Sequence, residues 1–434
     1  MILALGELLC LGYLVLGRSF AYLGIVPFYP AEVYILLATV TNPGRWLQLL
    51  AQNLAQLRAI SVWMILFFAW GCVECARALP GGGAFWPALR GLATHYYPFL
   101  LFLGIGLAQV APAERFMGLI RRACIVTGVY GLLYAAFFSR VEAILPWTEE
   151  VPVFGTLAIP PFGVLALLVL APFTGRMVML VGVLDLLAVL ANPGRASWLS
   201  LGVGCALIAS GGLRRRVILR GSAIVAAVVV ILYLVGPLLP AAEGRGGVVT
   251  YTWLVARIIA TVDPGAAFDL LAQKGSLEDA NKVYAIAGTG NWRMTLWERL
   301  VGSLSSTSLL IAGHGYGVSL SDLVGDIVGY DEDLRSPHNF ALYLLGYTGF
   351  VGLLLFTGLI GSFLLTILRL QASSHKTFLL SFLGCVLTLA LFGNALETPF
   401  VAVPFYLLTG WAFGIASGRA GGDAGPGARV GRQP

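Results

Sequence analysis

Apolar runs of roughly 17 to 25 residues alternate with short polar breaks along most of the chain, and each run is long enough to cross a hydrocarbon core as a helix. The pattern places spans near residues 2–16, 22–40, 59–76, 97–112, 117–139, 158–175, 177–193, 197–212, 217–239, 342–368, 378–396 and 401–417, about twelve in all. One long polar insertion, about 240 to 337, interrupts the series between the ninth and tenth spans. Within it, 248–261 and 292–304 have helical spacing, through Trp253 and Ile258 and through Trp292, Leu296 and Leu300, while AGHGYGVS at 312–319 reads as a turn-rich loop. A structureless insertion of that length is unusual, so a folded, functional cap is expected. The resulting organisation is helices 1–9 in 1–239, the cap in 240–337, helices 10–12 in 338–417 and a Gly-rich, disordered tail in 418–434.

Composition agrees with an all-α, polytopic integral membrane helical bundle. Of 434 residues 58% are apolar and 11% charged, and mean hydropathy is +0.87, beyond what a soluble surface tolerates. Helices are favoured over a barrel because each run is continuous rather than alternating. The first run lacks a basic leader and a small-residue cleavage site, so it is expected to be retained as a span. A net charge of +6 reports orientation here; no interleaving of bases and aromatics suggests nucleic-acid binding. Arginines concentrate in the connections expected on the cytoplasmic side, including Arg45, Arg58, Arg115, Arg121, Arg122, Arg176 and Arg214–Arg216. The short outer connections hold only Arg18, Arg77, Arg90, Arg140 and Arg195, so the positive-inside rule puts the N-terminus in the cytoplasm and the cap outside. All six cysteines lie in apolar segments. Cys72 and Cys75 have CxxC spacing without a second pair, which fits small buried residues better than a metal site, and no disulfide framework is expected.

Few residues offer chemistry. His338 follows Pro337 at the mouth of the tenth span, where an imidazole titrating near neutrality can accept a proton from an alcohol; the bland alternative is an interfacial histidine. Arg195, in LANPGRASWLS, stands in a short outer turn against the orientation bias, as a phosphate partner or as a side chain snorkelling to headgroups. Arg293 opens an amphipathic helix after a Gly-rich turn, beside Trp292; Arg257 is a similar, weaker candidate, and Arg299 suits a solvated helix charge. His314, between Gly313 and Gly315, reads as a loop residue. Asp331, Glu332 and Asp333 imitate a metal-binding DxD on the side where nucleotide sugars are absent. Asp185 lies inside a span, where pairing to a polar neighbour competes with a functional role.

His338-Asn339, nine residues, Gly349, two residues and Gly352 together resemble the His-[Asn/Ser/Gln]-x9-Gly-x-x-[Gly/Thr/Val] pattern of the O-antigen ligase superfamily. The resemblance extends to twelve spans, the large loop after the ninth, Arg195 before the eighth, and Arg293 followed by the Gly-x-Gly of Gly313–Gly317. It implies an O-antigen ligase: a metal-independent, inverting glycosyltransferase of the bacterial inner membrane with a periplasmic active site and no cofactor. Its implied partners are an undecaprenyl-pyrophosphate-linked O-antigen donor, a lipid A-core acceptor and membrane lipids. His338 would act as catalytic base, Arg195 and Arg293 would hold the donor pyrophosphate, and Asn339, Arg257, Trp292 and His314 would support them, with Asn339 expected to cap the helix. The alternatives are an O-antigen or exopolysaccharide polymerase, or a protein O-oligosaccharyltransferase, of the same superfamily. A transporter or flippase would need more polar residues in the bundle than Glu7, Glu74 and Asp185.

Overall fold

A computed structural model of the chain describes residues 2–24, 28–41, 43–78, 85–148, 151–192, 194–211, 215–236, 250–260, 263–273, 281, 292–324 and 335–418. The first seven helices are α1 (Ile2–Ala21), α2 (Pro30–Thr41), α3 (Pro43–Gln56), α4 (Arg58–Ala78), α5 (Phe85–Tyr96), α6 (Leu100–Val110) and α7 (Ala113–Ala136). There follow α8 (Phe162–Leu170), α9 (Arg176–Ala191), α10 (Arg195–Ser210), α11 (Arg215–Val235), α12 (Tyr251–Ile259), α13 (Pro264–Ala272) and α14 (292–303). The last are α15 (Thr307–Ala312), α16 (Leu320–Val324), α17 (Phe340–Leu368), α18 (Ser374–Phe392) and α19 (Pro399–Ala416). Among the described residues the sole extended pairing is an isolated bridge between Ile144 and Pro152. The triplet Asp331–Asp333 and the tail beyond Gly418 lie outside the described residues.

Among the described residues, eight helical segments are long and apolar enough to cross a membrane: α1, α4, the continuous stretch Phe85–Val110, α7, Val217–Val235, α17, α18 and α19. The other four expected spans are shorter helices. That near 22–40 is the 12-residue α2, those near 177–193 and 197–212 are the 16-residue α9 and α10, and that near 158–175 shrinks to the 9 residues of α8. Proline explains the last case. Pro160 and Pro161 stand immediately before α8, Pro172 follows it, and Ala171 turns left-handed at φ 47°. Conversely, the span expected at 97–112 begins at Phe85, its two helices joined through the 3-10 turn Tyr97–Phe99.

Short apolar helices survive where neighbours cover them on every side. All but one residue of α8 is buried, and α19 is buried along most of its length. α19 packs on α6 with almost no side chain between the axes: a Cβ on Gly104 would lie 2.2 Å from the Leu407 carbonyl oxygen, and one on Gly410 would lie 2.1 Å from that of Leu101. Asp185 accepts a hydrogen bond from Thr127 Oγ1 at 3.0 Å, so within the bundle it is paired to a polar neighbour. Glu7 on α1 pairs with Arg115 at 2.5 Å and with Arg122 at 2.6 Å, both on α7. All six thiols are free.

In the expected cap, α12 and α14 match the predicted helices, but α12 buries Trp253, Ala256 and Arg257, with Ala260 at its C-cap, while Ile258 is exposed. Leu296 and Leu300 of α14 are buried, and Leu300 lies over Gly346 of α17.

α17 is broken at Gly349, which has φ 67° and ψ −170°. A break of this kind releases carbonyls of the preceding turn from the helical ladder, and in a membrane each must find another donor. Gly346 and Tyr347 carbonyls accept the N–H groups of His314 and Gly315, each at 2.9 Å, and the Thr348 carbonyl accepts Trp70 Nε1 at 2.9 Å. The turn after α15 therefore substitutes for missing helix. Contact is backbone to backbone: a Cβ on Gly349 would lie 2.2 Å from the Ile311 carbonyl oxygen, and one on Gly313, itself at φ 67°, would lie 2.5 Å from the Tyr347 carbonyl carbon. Arg77 of α4 fastens this turn, donating to the carbonyls of Ala312 (2.9 Å) and Gly313 (3.2 Å) and to the buried Glu74 carboxylate. Gly349→Ala should cost about 3 kcal/mol or more through strained φ and backbone overlap. Thermal unfolding in detergent should show a large fall for it and almost none for Gly361→Ala, where open space surrounds the glycine.

Candidate functional site

Residues 335–339 carry the chain into α17. Asn339 is the N-cap, its Oδ1 accepting the Leu342 N–H at 3.1 Å, as expected from the sequence. This cap fixes the start of the helix and leaves His338 just outside it at φ 53°, a conformation non-glycine residues seldom adopt. Ser336 Oγ accepts the His338 N–H at 3.1 Å, and the Pro337 carbonyl accepts Trp297 Nε1 at 2.7 Å. The Trp292 ring meets the His338 ring edge to face at 6.4 Å between centroids. α14 thus brings Trp292, Arg293 and Trp297 to His338.

Arg293 Nη1 donates to the Phe392 carbonyl at 3.1 Å, at the C-terminal end of α18. Burial, and secondarily the Arg293 charge, push the His338 imidazole down to about 4, so near neutral pH it is uncharged and keeps an open lone pair.

His338 opens onto a cavity of about 620 Å³. With it stand Ser336, Asn394 and Glu397, and the same wall carries Arg18, Arg90 and Arg335 with Glu32 and a set of tyrosines. Ser336 Oγ donates to Glu397 Oε1, while Glu397 Oε2 is buried without a hydrogen-bond partner. Burial raises the Glu397 carboxyl to about 8, opposed by Ser336 and the Arg90 charge, so it is largely protonated at neutral pH.

A second cavity, of about 320 Å³, is lined by Asn192, Gly194, Ala196 and Ser197 on one side and by Gly393, Asn394 and Phe400 on the other. Arg195 stands among those first residues at the start of α10, and its Nε is buried with no hydrogen bond. Asn394 and Phe400 line both cavities. The 393–398 connection is therefore a shared wall: Phe392 receives Arg293, Asn394 faces both spaces, and Glu397 receives Ser336. Arg293 reaches that wall at Phe392 and lies near enough to His338 to act on its charge, whereas Arg195 comes to the smaller cavity only through its neighbours Gly194, Ala196 and Ser197. Arg195 and Arg293 themselves line neither cavity; a buried guanidinium donor without a hydrogen bond, a second guanidinium and a neutral imidazole are groups that can bind an anion and accept a proton.

Two residues expected in support have other places. Arg257 is buried with its guanidinium 5.2 Å from the Trp253 ring, which packs on Leu187, Val228 and Leu232, and it lines neither cavity. His314 also lines neither; its Nε2 pairs with Ser303 Oγ at 3.0 Å and its backbone serves the α17 break. Glu397, Arg18, Arg90 and Glu32 were not singled out from the sequence. Glu397 carried a usable signal, a lone acidic residue in NALETPF between two apolar runs, of the kind that marked His338.

No family model matches the chain, and no curated protein matches it.

In a titration followed by histidine NMR, His338 should stay neutral down to about pH 4, and Arg293→Gln should move its midpoint upward. Because the folded-state pKa lies below the usual 6.5, the stability linked to His338 is present above pH 6.5 and is lost as pH falls toward 4. Denaturation midpoints over that window should fall more steeply for the wild type than for His338→Gln.

Proposed function

We propose that this chain is an O-antigen ligase, moving a glycan from undecaprenyl pyrophosphate to a sugar hydroxyl of lipid A-core at the periplasmic face of the bacterial inner membrane. The observation that supports this best is neutral His338 with Arg293 close to it and bonded to Phe392, joined by Arg195, whose buried Nε has no hydrogen bond and whose neighbours line the adjoining cavity.

In this reading the acceptor hydroxyl oxygen bonds to the anomeric carbon while the bond from that carbon to the pyrophosphate oxygen breaks. The hydroxyl proton passes to His338, and undecaprenyl pyrophosphate departs with the bonding electrons. A single displacement inverts the anomeric configuration. Arg195 and Arg293 stabilise the charge gathering on the leaving oxygens, the task a metal ion performs in many glycosyltransferases. The resting imidazole is a weak base partly because Arg293 is close. A pyrophosphate seated against Arg293 offsets that charge and raises His338 basicity when the donor is bound. Asn339 and Trp292 position the imidazole, one by fixing the helix start and the other by bracing the ring.

Purified protein should be incubated with lipid-linked glycan and either lipid A-core or a second donor molecule. Product on the core is expected; chain extension alone would mean a polymerase, and transfer to neither would remove both. His338→Ala should lower turnover by about 10²–10⁴-fold with its fold intact. Arg195→Ala should lose about 10²-fold or more with donor use impaired, and unchanged donor binding and turnover would remove its phosphate role.

A further inference from the structure

A one-step displacement needs the attacking hydroxyl and the sugar being transferred within about 3–3.5 Å of each other, so two substrate spaces must adjoin where the new bond forms. The two cavities share Asn394 and Phe400. His338 lines the larger one, while Gly194, Ala196 and Ser197, the neighbours of Arg195, line the smaller. The base and the donor-side residues thus belong to different spaces that meet at Asn394. The backbone there is fixed: the Asn394 carbonyl accepts Thr398 Oγ1 at 2.7 Å, and the connection is tied to the residues before α17 through Glu397 and Ser336. The side chain is not. Asn192, on the smaller cavity, donates through Nδ2 to the Gly131 and Ala188 carbonyls at 2.8 and 2.9 Å, and Tyr96 and Tyr97, on the larger, donate to Glu32 at 2.5 and 3.1 Å. The half-buried Asn394 amide, by contrast, makes no hydrogen bond among the described residues. An amide carries two N–H donors and an accepting oxygen, and so matches a sugar hydroxyl, which both donates and accepts. Small-molecule sites place a few polar groups of this kind among apolar ones, and Phe400 supplies an aromatic ring at the same junction.

We propose that Asn394 binds the transferred sugar where the two cavities meet, its amide holding a ring hydroxyl or acetamido group of the donor saccharide while the anomeric carbon meets the acceptor hydroxyl. The proposal rests on the glycosyl-transfer reading and adds to it the place where the new bond forms and a residue that selects the donor sugar. Arg195 and Arg293 remain the partners of the pyrophosphate, which Asn394 does not hold. Discrimination among sugars then follows from hydrogen bonding, because a sugar without the matching group leaves the amide unpaired in the recess.

The test measures, by native mass spectrometry of the full-length protein in detergent, the binding of undecaprenyl pyrophosphate carrying one hexose or one N-acetylhexosamine and of undecaprenyl pyrophosphate without sugar. Asn394→Ala should weaken binding of the glycosylated probe that the wild type prefers about tenfold and leave the sugar-free probe unchanged. Asn394→Leu keeps the side-chain volume and should show the same sugar-selective loss. Thermal unfolding of both variants should stay near the wild type, because the amide bonds to no described residue. In a deoxy series of the preferred probe, the difference between wild type and variants should vanish at the position that Asn394 holds. Equal weakening of the glycosylated and sugar-free probes, or of neither, overturns the assignment. Sugar-selective loss in a protein that transfers glycan to neither lipid A-core nor a second donor would support the sugar contact and remove the transferase reading. Transfer and sugar binding that Asn394→Ala leaves unchanged would do the reverse.

Discussion

A backbone carbonyl in a membrane-spanning helix has no water to turn to, and the break in α17 releases carbonyls at mid-helix. Their replacement donors come from the turn after α15 and from Trp70 on α4, so the helix is complete only when these elements are docked. Much of the site follows from that requirement. The docking holds α15 and its turn on the first part of α17, and α14 lies over the same part through Leu300 on Gly346. Trp292 and Arg293 are thereby held against the residues that precede α17. The two glycines of the histidine motif thus have a mechanical reading. Gly349 makes the break, and Gly352 lies one turn beyond it, where a Cβ would overlap the Thr348 side chain and touch Trp70.

Charge tells a parallel story. The five arginines expected in short outer connections work against the orientation bias, and each has a local reason to be there. Arg77 ties α4 to the α15 turn, and Arg140 donates to the carbonyls of Ala135 and Ala136 at the end of α7. Arg18 and Arg90 flank Tyr22 in the larger cavity, and Arg195 keeps a buried donor beside the smaller one. A side chain that runs against a global preference is a sound place to look for local work.

The all-helical, membrane-spanning character was legible because apolar run length is a local property. His338, the Asn339 cap and the helix at 292–303 were legible for the same reason, since each is signalled by residues within a turn or two. The short α8 was not, because an apolar run cannot reveal that prolines bracket its helical part or that neighbours bury it on every side. The surroundings of Arg257 were hidden for a related reason. Spacing puts it on a helix face, but only packing shows that the face turns toward Trp253 and away from the cavities. Glu397, Arg18 and Arg90 come together from the connection before α19, from α1 and from α5, and no local window joins residues hundreds of positions apart. Their grouping is a product of the fold.

The Glu7 pairing has a consequence for biosynthesis. Glu7 sits on α1, while Arg115 and Arg122 lie further along the chain on α7. More than a hundred residues must therefore emerge before either partner exists. Until then α1 holds an acidic side chain in or near the lipid without its native counter-ions, and chain elongation sets the earliest moment at which that end of the bundle can close.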